Sequence, residues 1–334
     1  MWRIAGQDTA RKALERAIAQ GVTSHSYFFT GPKGVGKTTA AFDFAAALNC
    51  KGVLPPCFEC DSCRRIAAGN HPDFMIVGEE GTADGVIREI SIDSTREMQR
   101  WAAVLPFEGR FRVFVLVECE RLSDEAANSL LKVVEEPPPH VVFILTSRLE
   151  EAVLPTIKSR CQQVPFTRLP ASEIATLLET RHGLSAEEGQ KLSKLSFGRP
   201  GWAVTAVQRP EVLEARERKL REIEAMATGS LLDRFSRAAR MAREFQESRT
   251  DVYATLDLMI EWWRDLLLHR LELPQQRTIN GPSPGTVSVF EARDLSVEEL
   301  TSFIHKLIDT KNLLADNINP QLALESLVTE MPRL

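Results

Sequence analysis

Apolar positions fall into short runs separated by amphipathic stretches over the first half of the chain. Residues 7–20 carry Ala10, Leu14, Ala17 and Ile18 at three- to four-residue spacing, which predicts a helix face. Ser26 to Thr30 reads as a short buried strand, Gly31 to Lys37 as a glycine-rich turn, and Thr38 to Leu48 as a helix rich in Ala and Phe. Phe74–Val77, Arg112–Val117 and Val141–Leu145 are further strand runs, with helices expected over Ile92–Val104 and Ser123–Glu135. Ser123 suits the last of these as an N-cap, and Pro137-Pro138-Pro139 stops it. Residues 50–63 show no clear period. Strands alternating with helices predict parallel βαβ units. Beyond about residue 166 the strand-like runs disappear. Helices are expected over 172–179, 186–195, 211–248, 252–271, 295–314 and 321–331, with a Pro- and Gly-containing loop at 274–286. The first half is thus α/β and the second all-α, with no internal repeat.

Composition adds mainly exclusions. The chain has 334 residues, 43% hydrophobic and 26% charged, which is ordinary for a folded protein of about two domains. The net charge of −5 argues against duplex nucleic acid binding over the whole surface. No apolar run approaches a membrane span, and the residues from Met1 to Gln7 hold no secretory apolar region. The expected compartment is cytoplasmic.

Gly31-x-x-x-x-Gly36-Lys37-Thr38 matches the phosphate-loop pattern between a strand and a helix. Glycines let backbone N–H groups turn toward phosphate oxygens, and the helix start adds its positive end. Gly31, Pro32, Lys33, Gly34, Val35, Gly36, Lys37, Thr38 and Thr39 form the expected nucleotide site. Lys37 would reach the β/γ-phosphates of ATP, and the Thr38 hydroxyl would meet Mg²⁺. Hydrolysis needs carboxylates at a neighbouring strand end. Val113 to Glu120 is the candidate, but Val117 stands where an Asp is expected and only Glu118 follows. Glu120 would share a face with Glu118 along an extended strand. The two are either residual catalytic carboxylates or solvated ones. Binding is therefore expected, and hydrolysis is in doubt.

Cys50, Cys57, Cys60 and Cys63 place four thiols within 14 residues. Cys-x-x-Cys spacing suits tetrahedral Zn²⁺, and four protein ligands leave no open position, so the role would be structural. An iron–sulfur cluster would want another Cys where Ala67 stands. His71 is the alternative to Cys50 as fourth ligand. Cys119 and Cys161 read as packed or incidental thiols. Trp262 and Trp263, with Leu266, Leu267 and Leu271, read as core rather than interface. The Arg run 234, 237, 240, 243, interleaved with acids, reads as a solvated helix face.

Taken together, these features resemble the bacterial clamp-loader subunits of the AAA+ family, the group holding the delta-prime and gamma/tau subunits of DNA polymerase III. The resemblance is carried over nearly the whole chain by Ile4-Ala5-Gly6-Gln7, His25 to Pro32, the cysteine insert, Ala127 to Pro138, Ser159-Arg160-Cys161 and Asn317 to Glu325. It implies a P-loop parallel-sheet domain over 1–166 with a zinc module at about 50–63. A helical lid would follow at 167–208 and an all-α collar domain at 209–334. It further implies that Arg160 is an arginine finger reaching the neighbouring subunit's nucleotide, and that Thr146 or Ser147 senses the γ-phosphate. The implied partners are gamma/tau and delta subunits in a hetero-pentamer, the sliding clamp, and primed DNA through the complex. Val117, Gly201 where ATPase subunits carry a sensing Arg, the absent Lys-Tyr-Arg-Pro lead-in and the absent long tail lean toward the delta-prime branch, with weak or absent ATPase activity of its own. A gamma/tau-type motor and a solitary nucleotide- and zinc-binding module are the alternatives.

Overall fold

The structure is a computed structural model, and it describes residues 2–78, 89–271, 295–315 and 318–334. The expected loop at 274–286 and Asn317 lie outside the described residues. Five strands, β1 (Ser26–Thr30), β2 (Phe74–Val77), β3 (Arg112–Leu116), β4 (Val141–Ser147) and β5 (Gln162–Pro165), form one sheet in the order β2-β3-β4-β1-β5. Every pairing is parallel, with Phe29 opposite Thr146 and Val164, and Leu116 opposite Leu145. Alternate side chains therefore serve two cores. Tyr27 and Phe29 share one with Leu14 of α1 (Asp8–Gln20), Phe44 of α2 (Lys37–Leu48) and Ile66 of α3 (Asp61–Ala67). Phe28, Phe114 and Phe143 share the other with Met98 of α4 (Ile92–Ala102), Leu130 of α5 (Asp124–Glu135) and Ile157 of α6 (Pro155–Lys158).

The expected strands and helices of the first half are found within a few residues of their predicted ends. Ser123 caps α5 by accepting the Ala126 N–H. Three elements of the first half had no counterpart in the sequence reading. α6 is a single turn of four residues, too short to show a period. α3 lies inside the cysteine segment, and β5 is an edge strand with three of its four residues exposed, so it shows no apolar run.

The chain divides into two units. The first holds residues 1–189 and 198–202, including the sheet and α7 (Ala171–His182). The second holds 190–197 and 203–334, with most of α8 (Ala186–Leu195) and α9 (Pro200–Gln208) and all of α10 (Glu211–Thr228), α11 (Leu231–Glu247), α12 (Arg249–Arg270), α13 (Val297–Ala315) and α14 (Pro320–Thr329). Trp263 is fully buried at the centre of this second unit, 4.8 Å from the Phe303 ring, and Trp262 is buried beside it. The continuous run expected over 211–248 is broken at Gly229-Ser230, where Ser230 and Asp233 form a capping box for α11.

The Arg run is corrected at its first member. Arg234 is buried and donates to the carbonyls of Met226, Ala227, Met331 and Pro332. It closes the end of α10 and ties down the C-terminal segment, because orphan carbonyls at a helix end need donors. Arg240 and Arg243 are solvated as expected. No helix among the described residues is long and apolar enough to cross a membrane.

Candidate functional site

The phosphate loop leaves β1 at its carboxyl end and enters α2. Gly31 has φ 137°, and a Cβ there would lie 2.1 Å from the Phe166 carbonyl oxygen, so a side chain is excluded on two counts. Lys37 is 9% exposed, and its Nζ donates to the carbonyls of Gly31 (2.5 Å) and Pro32 (2.8 Å). Burial pulls its pKa down to about 8, against the opposing pull of Glu120 and Glu118. The loop is braced from the N-terminal segment. Asp43, fully buried on α2, accepts the N–H groups of Arg3 (2.7 Å) and Ile4 (3.0 Å) and the Arg3 Nε (2.8 Å). Gln7 donates to the carbonyls of Val35 (3.2 Å) and Thr167 (2.5 Å) and accepts the Thr167 N–H (3.1 Å). Sequence reasoning gave neither Asp43 nor Gln7 a role. The signal for Asp43 was a carboxylate on an otherwise apolar helix. On the far side of the loop, the first turn of α9 approaches closely. The Gly201 N–H donates to the Gly34 carbonyl (2.8 Å), and a Cβ at Gly201 would lie 3.0 Å from that oxygen.

The strand-end carboxylates differ from expectation in how they meet. β3 ends at Leu116, Glu118 takes φ 54°, and Cys119–Arg121 forms a 3₁₀ turn, so the two do not share the face of an extended strand. They converge nevertheless, on a residue that sequence reasoning missed. The Arg148 N–H donates to Glu120 Oε1 (3.2 Å), its Nε lies 3.4 Å from the same oxygen, and its Nη2 lies 3.7 Å from Glu118 Oε2. Arg121 Nη1 lies 3.5 Å from Glu118 Oε2. Both carboxylates are buried, and burial raises the Glu120 pKa. Thr146 is also buried, and its Oγ1 accepts the Glu118 N–H (3.2 Å). Lys37, Glu118, Glu120, Thr146 and Arg148 thus form one electrostatic cluster. Thr38 keeps its hydroxyl in the first turn of α2, but the strand-end part of the donor set fits Mg²⁺ poorly: Val117 has no side-chain oxygen, and Arg148 and Arg121 already face the carboxylates.

Arg160 follows α6 and is exposed. Its guanidinium pairs with Glu135 at the end of α5 (2.8 Å) and donates to the Thr156 carbonyl (2.9 Å). Next to it, burial pushes the Cys161 thiol up to about 12, so this sulfur behaves as a packed apolar group, as does the buried Cys119.

The cysteine insert is compact. Cys50 lies just past Asn49, the C-cap of α2, Cys60 precedes α3, and Cys63 lies within α3. The four Sγ atoms all lie within 4.8 Å of one another, with Cys57 to Cys63 at 4.0 Å. Four sulfurs around Zn²⁺ with bonds of about 2.3 Å would be separated by roughly 3.8 Å, so the set fits a tetrahedral ion with little adjustment. Backbone N–H groups of Gly52 and Cys60 donate to the Cys50 and Cys57 sulfurs (3.3 Å each). The N–H groups of Cys60 and Glu59 lower the Cys57 pKa to about 6, which favours a thiolate. Burial instead raises Cys63. Of the two candidates for a fourth ligand, Cys50 lies with the other three sulfurs and His71 does not. His71 Nδ1 accepts the Asp73 N–H (3.1 Å) and Nε2 faces Glu108 at 3.5 Å, so the ring is engaged outside the sulfur cluster.

Comparison with known proteins follows these features. The family model described as "DNA polymerase III, delta subunit" matches residues 6–170. The gamma/tau subunit of DNA polymerase III from Mycobacterium bovis is 36% identical over 177 residues, covering 52% of this chain but 30% of that protein. The chain therefore spans about a third of the length of such relatives. The delta' subunit from Bacillus subtilis is 27% identical over 325 residues, covering 96% of this chain and 95% of its own. A gamma subunit-related protein of known structure from Thermotoga maritima is 19% identical, covers 95% of this chain and 97% of its own, and superposes with a TM-score of 0.44. The phosphate loop, the cysteine insert and the Ser-Arg-Cys segment all lie inside the 6–170 match, and the relatedness to delta' continues through the helical half. By sequence the chain is similar to the clamp-loader subunits of DNA polymerase III, both the delta' and the gamma/tau kind.

Proposed function

We propose that this chain is the delta' subunit of a clamp loader, helping to place a sliding clamp on primed DNA during replication in the cytoplasm. In this reading it binds nucleotide at residues 31–39, turns over little or none itself, and presents Arg160 to the nucleotide of a neighbouring gamma/tau subunit. The observation that carries it is the contact of Gly201 with the Gly34 carbonyl, which crowds any side chain at the position where ATPase subunits carry a sensing Arg: a Cβ there would lie 3.0 Å from the Gly34 oxygen. Relatedness to delta' along nearly the whole chain supports the same reading. A guanidinium can fork onto phosphate oxygens and stabilise transition-state charge in a partner's site. The four cysteines would hold structural Zn²⁺, and residues 167–208 and 209–334 would act as lid and collar in a pentamer with gamma/tau and delta.

The test is ATP turnover by the isolated chain and by the complex reconstituted with gamma/tau and delta, each with wild type and Arg160→Ala. A silent isolated chain and a complex slowed about 10³-fold by Arg160→Ala at the partner site are expected. The second reading is a gamma/tau-type ATPase, favoured by the 36% identity of the first half. Turnover by the isolated chain that disappears with Lys37→Ala would establish that reading instead.

A further inference from the structure

Glu118 and Glu120 sit where a P-loop protein holds its divalent cation, yet in this chain they face cations of the protein itself. Their side chains are 10% and 4% exposed, and that of Arg148 is 13% exposed. Arg148 reaches both carboxylates, through its own N–H and Nε to Glu120 and through Nη2 to Glu118. Arg121 meets Glu118 from the other side, and Lys37 lies near enough to feel both acids. Three cations therefore surround two anions. The two oxygens without a hydrogen-bond donor, Glu118 Oε2 and Glu120 Oε2, belong to these same ion-paired carboxylates. A divalent ion approaching them would meet like charge at close range. A nucleoside di- or triphosphate entering the loop meets an excess of fixed positive charge.

We infer that the 31–39 site takes its nucleoside phosphate without a divalent cation, with Arg148 closing the Glu118–Glu120 pair as a fixed internal counter-ion. The inference rests on the proposed nucleotide binding and goes beyond it by naming the ligand form. Arg148 is a positioning residue here: it acts on the carboxylates, not on a reacting atom. Such a site is also poorly equipped to hydrolyse what it binds, because neither carboxylate is available to a metal-bound or attacking water.

The experiment measures binding of a fluorescent ADP or ATP analogue to the full chain in excess Mg²⁺ and in EDTA. For the wild type, binding is expected to be severalfold tighter in EDTA than in excess Mg²⁺, because Mg²⁺ in solution withdraws free nucleotide from a site that takes it without the metal, and Arg148→Lys should behave the same way. Arg148→Gln should acquire Mg²⁺ dependence, binding about tenfold more weakly in EDTA than in Mg²⁺, which corresponds to about 1.4 kcal/mol. The ratio of the two constants is the readout, so a general loss of affinity in the variant does not mimic the effect. A wild-type protein that loses tenfold or more in EDTA overturns the inference while leaving nucleotide binding intact, as does an Arg148→Gln ratio equal to that of wild type. Absence of binding in both media overturns the nucleotide reading itself. Electron paramagnetic resonance of Mn²⁺ with wild-type protein and ADP needs no variant. A rise of the free aquo Mn²⁺ signal on adding protein is expected, as the site withdraws ADP from its complex with Mn²⁺, and a protein-bound Mn²⁺ signal would overturn the inference.

Discussion

Lys37 couples the phosphate loop to pH more tightly than a solvated lysine would. Its pKa of about 8 arises from burial, partly offset by Glu120 and Glu118. A phosphate stabilises the charged ammonium, so affinity is full below pH 8 and falls as the pH rises through it. From pH 7 to pH 9 the affinity for a nucleoside phosphate should drop about tenfold, following the loss of the protonated form. Lys37→Arg should remove that dependence, since a guanidinium does not titrate there. Lys37→Ala should weaken binding about 10- to 100-fold, the loss of a charge-assisted contact. A titration of the fluorescent analogue at several pH values reads all three. Fold stability moves in the opposite sense. The unfolded lysine keeps its proton to about 10.5, so the unfolding free energy rises with pH between about 8 and 10.5. The loop itself was plain in the sequence because every part lies within eight consecutive residues. Arg148 was not, because Glu118 and Arg148 are separated by the whole of α5 and β4 and meet only once β3 and β4 pair.

At the level of elements, the cysteine insert depends on its sulfurs for shape. α3 has seven residues, too few to persist alone in water, and the loop from Lys51 to Cys57 has no regular structure. Ile66 and Cys63 of α3 are buried in the core beneath α2, and the Cys63 thiol donates to the Ala46 carbonyl. Loss of the proposed zinc would therefore loosen the helix that carries the phosphate loop. Purified protein should contain about one equivalent of zinc, and stripping it with a strong chelator should lower the thermal midpoint by about 5 °C or more. Less than about half an equivalent, with an unchanged midpoint after chelation, would rule out the structural role. The thiol spacing predicted this cluster directly. It also concealed α3, since a segment rich in Cys, Pro and Gly carries no 3.6-residue period.

On the scale of the whole molecule, the alternation of strand and helix, then helices alone, was legible from hydrophobic patterning. What patterning could not supply were the joins made by polar side chains, such as Arg234 with its four carbonyl acceptors and Gln7 bridging Val35 and Thr167. Both act over long sequence separations that no local spacing records. Arg160 is a different case. Its ion pair with Glu135 joins two partly exposed side chains, and such pairs contribute about 0–1 kcal/mol. In the proposed finger role, the guanidinium would exchange Glu135 for a phosphate on a neighbouring subunit at little cost.

The hydrogen bond from Gly201 to Gly34 has a consequence for time rather than affinity. It ties the first turn of α9 to the loop proposed to receive the phosphates. If that bond must open before nucleotide enters, association will not keep accelerating as ligand is added. In stopped-flow mixing the observed rate should level off at high nucleotide concentration, at a ceiling set by opening of α9 and unaffected by the choice of ADP or ATP. A rate that climbs linearly throughout would mean that the loop is accessible without that opening step.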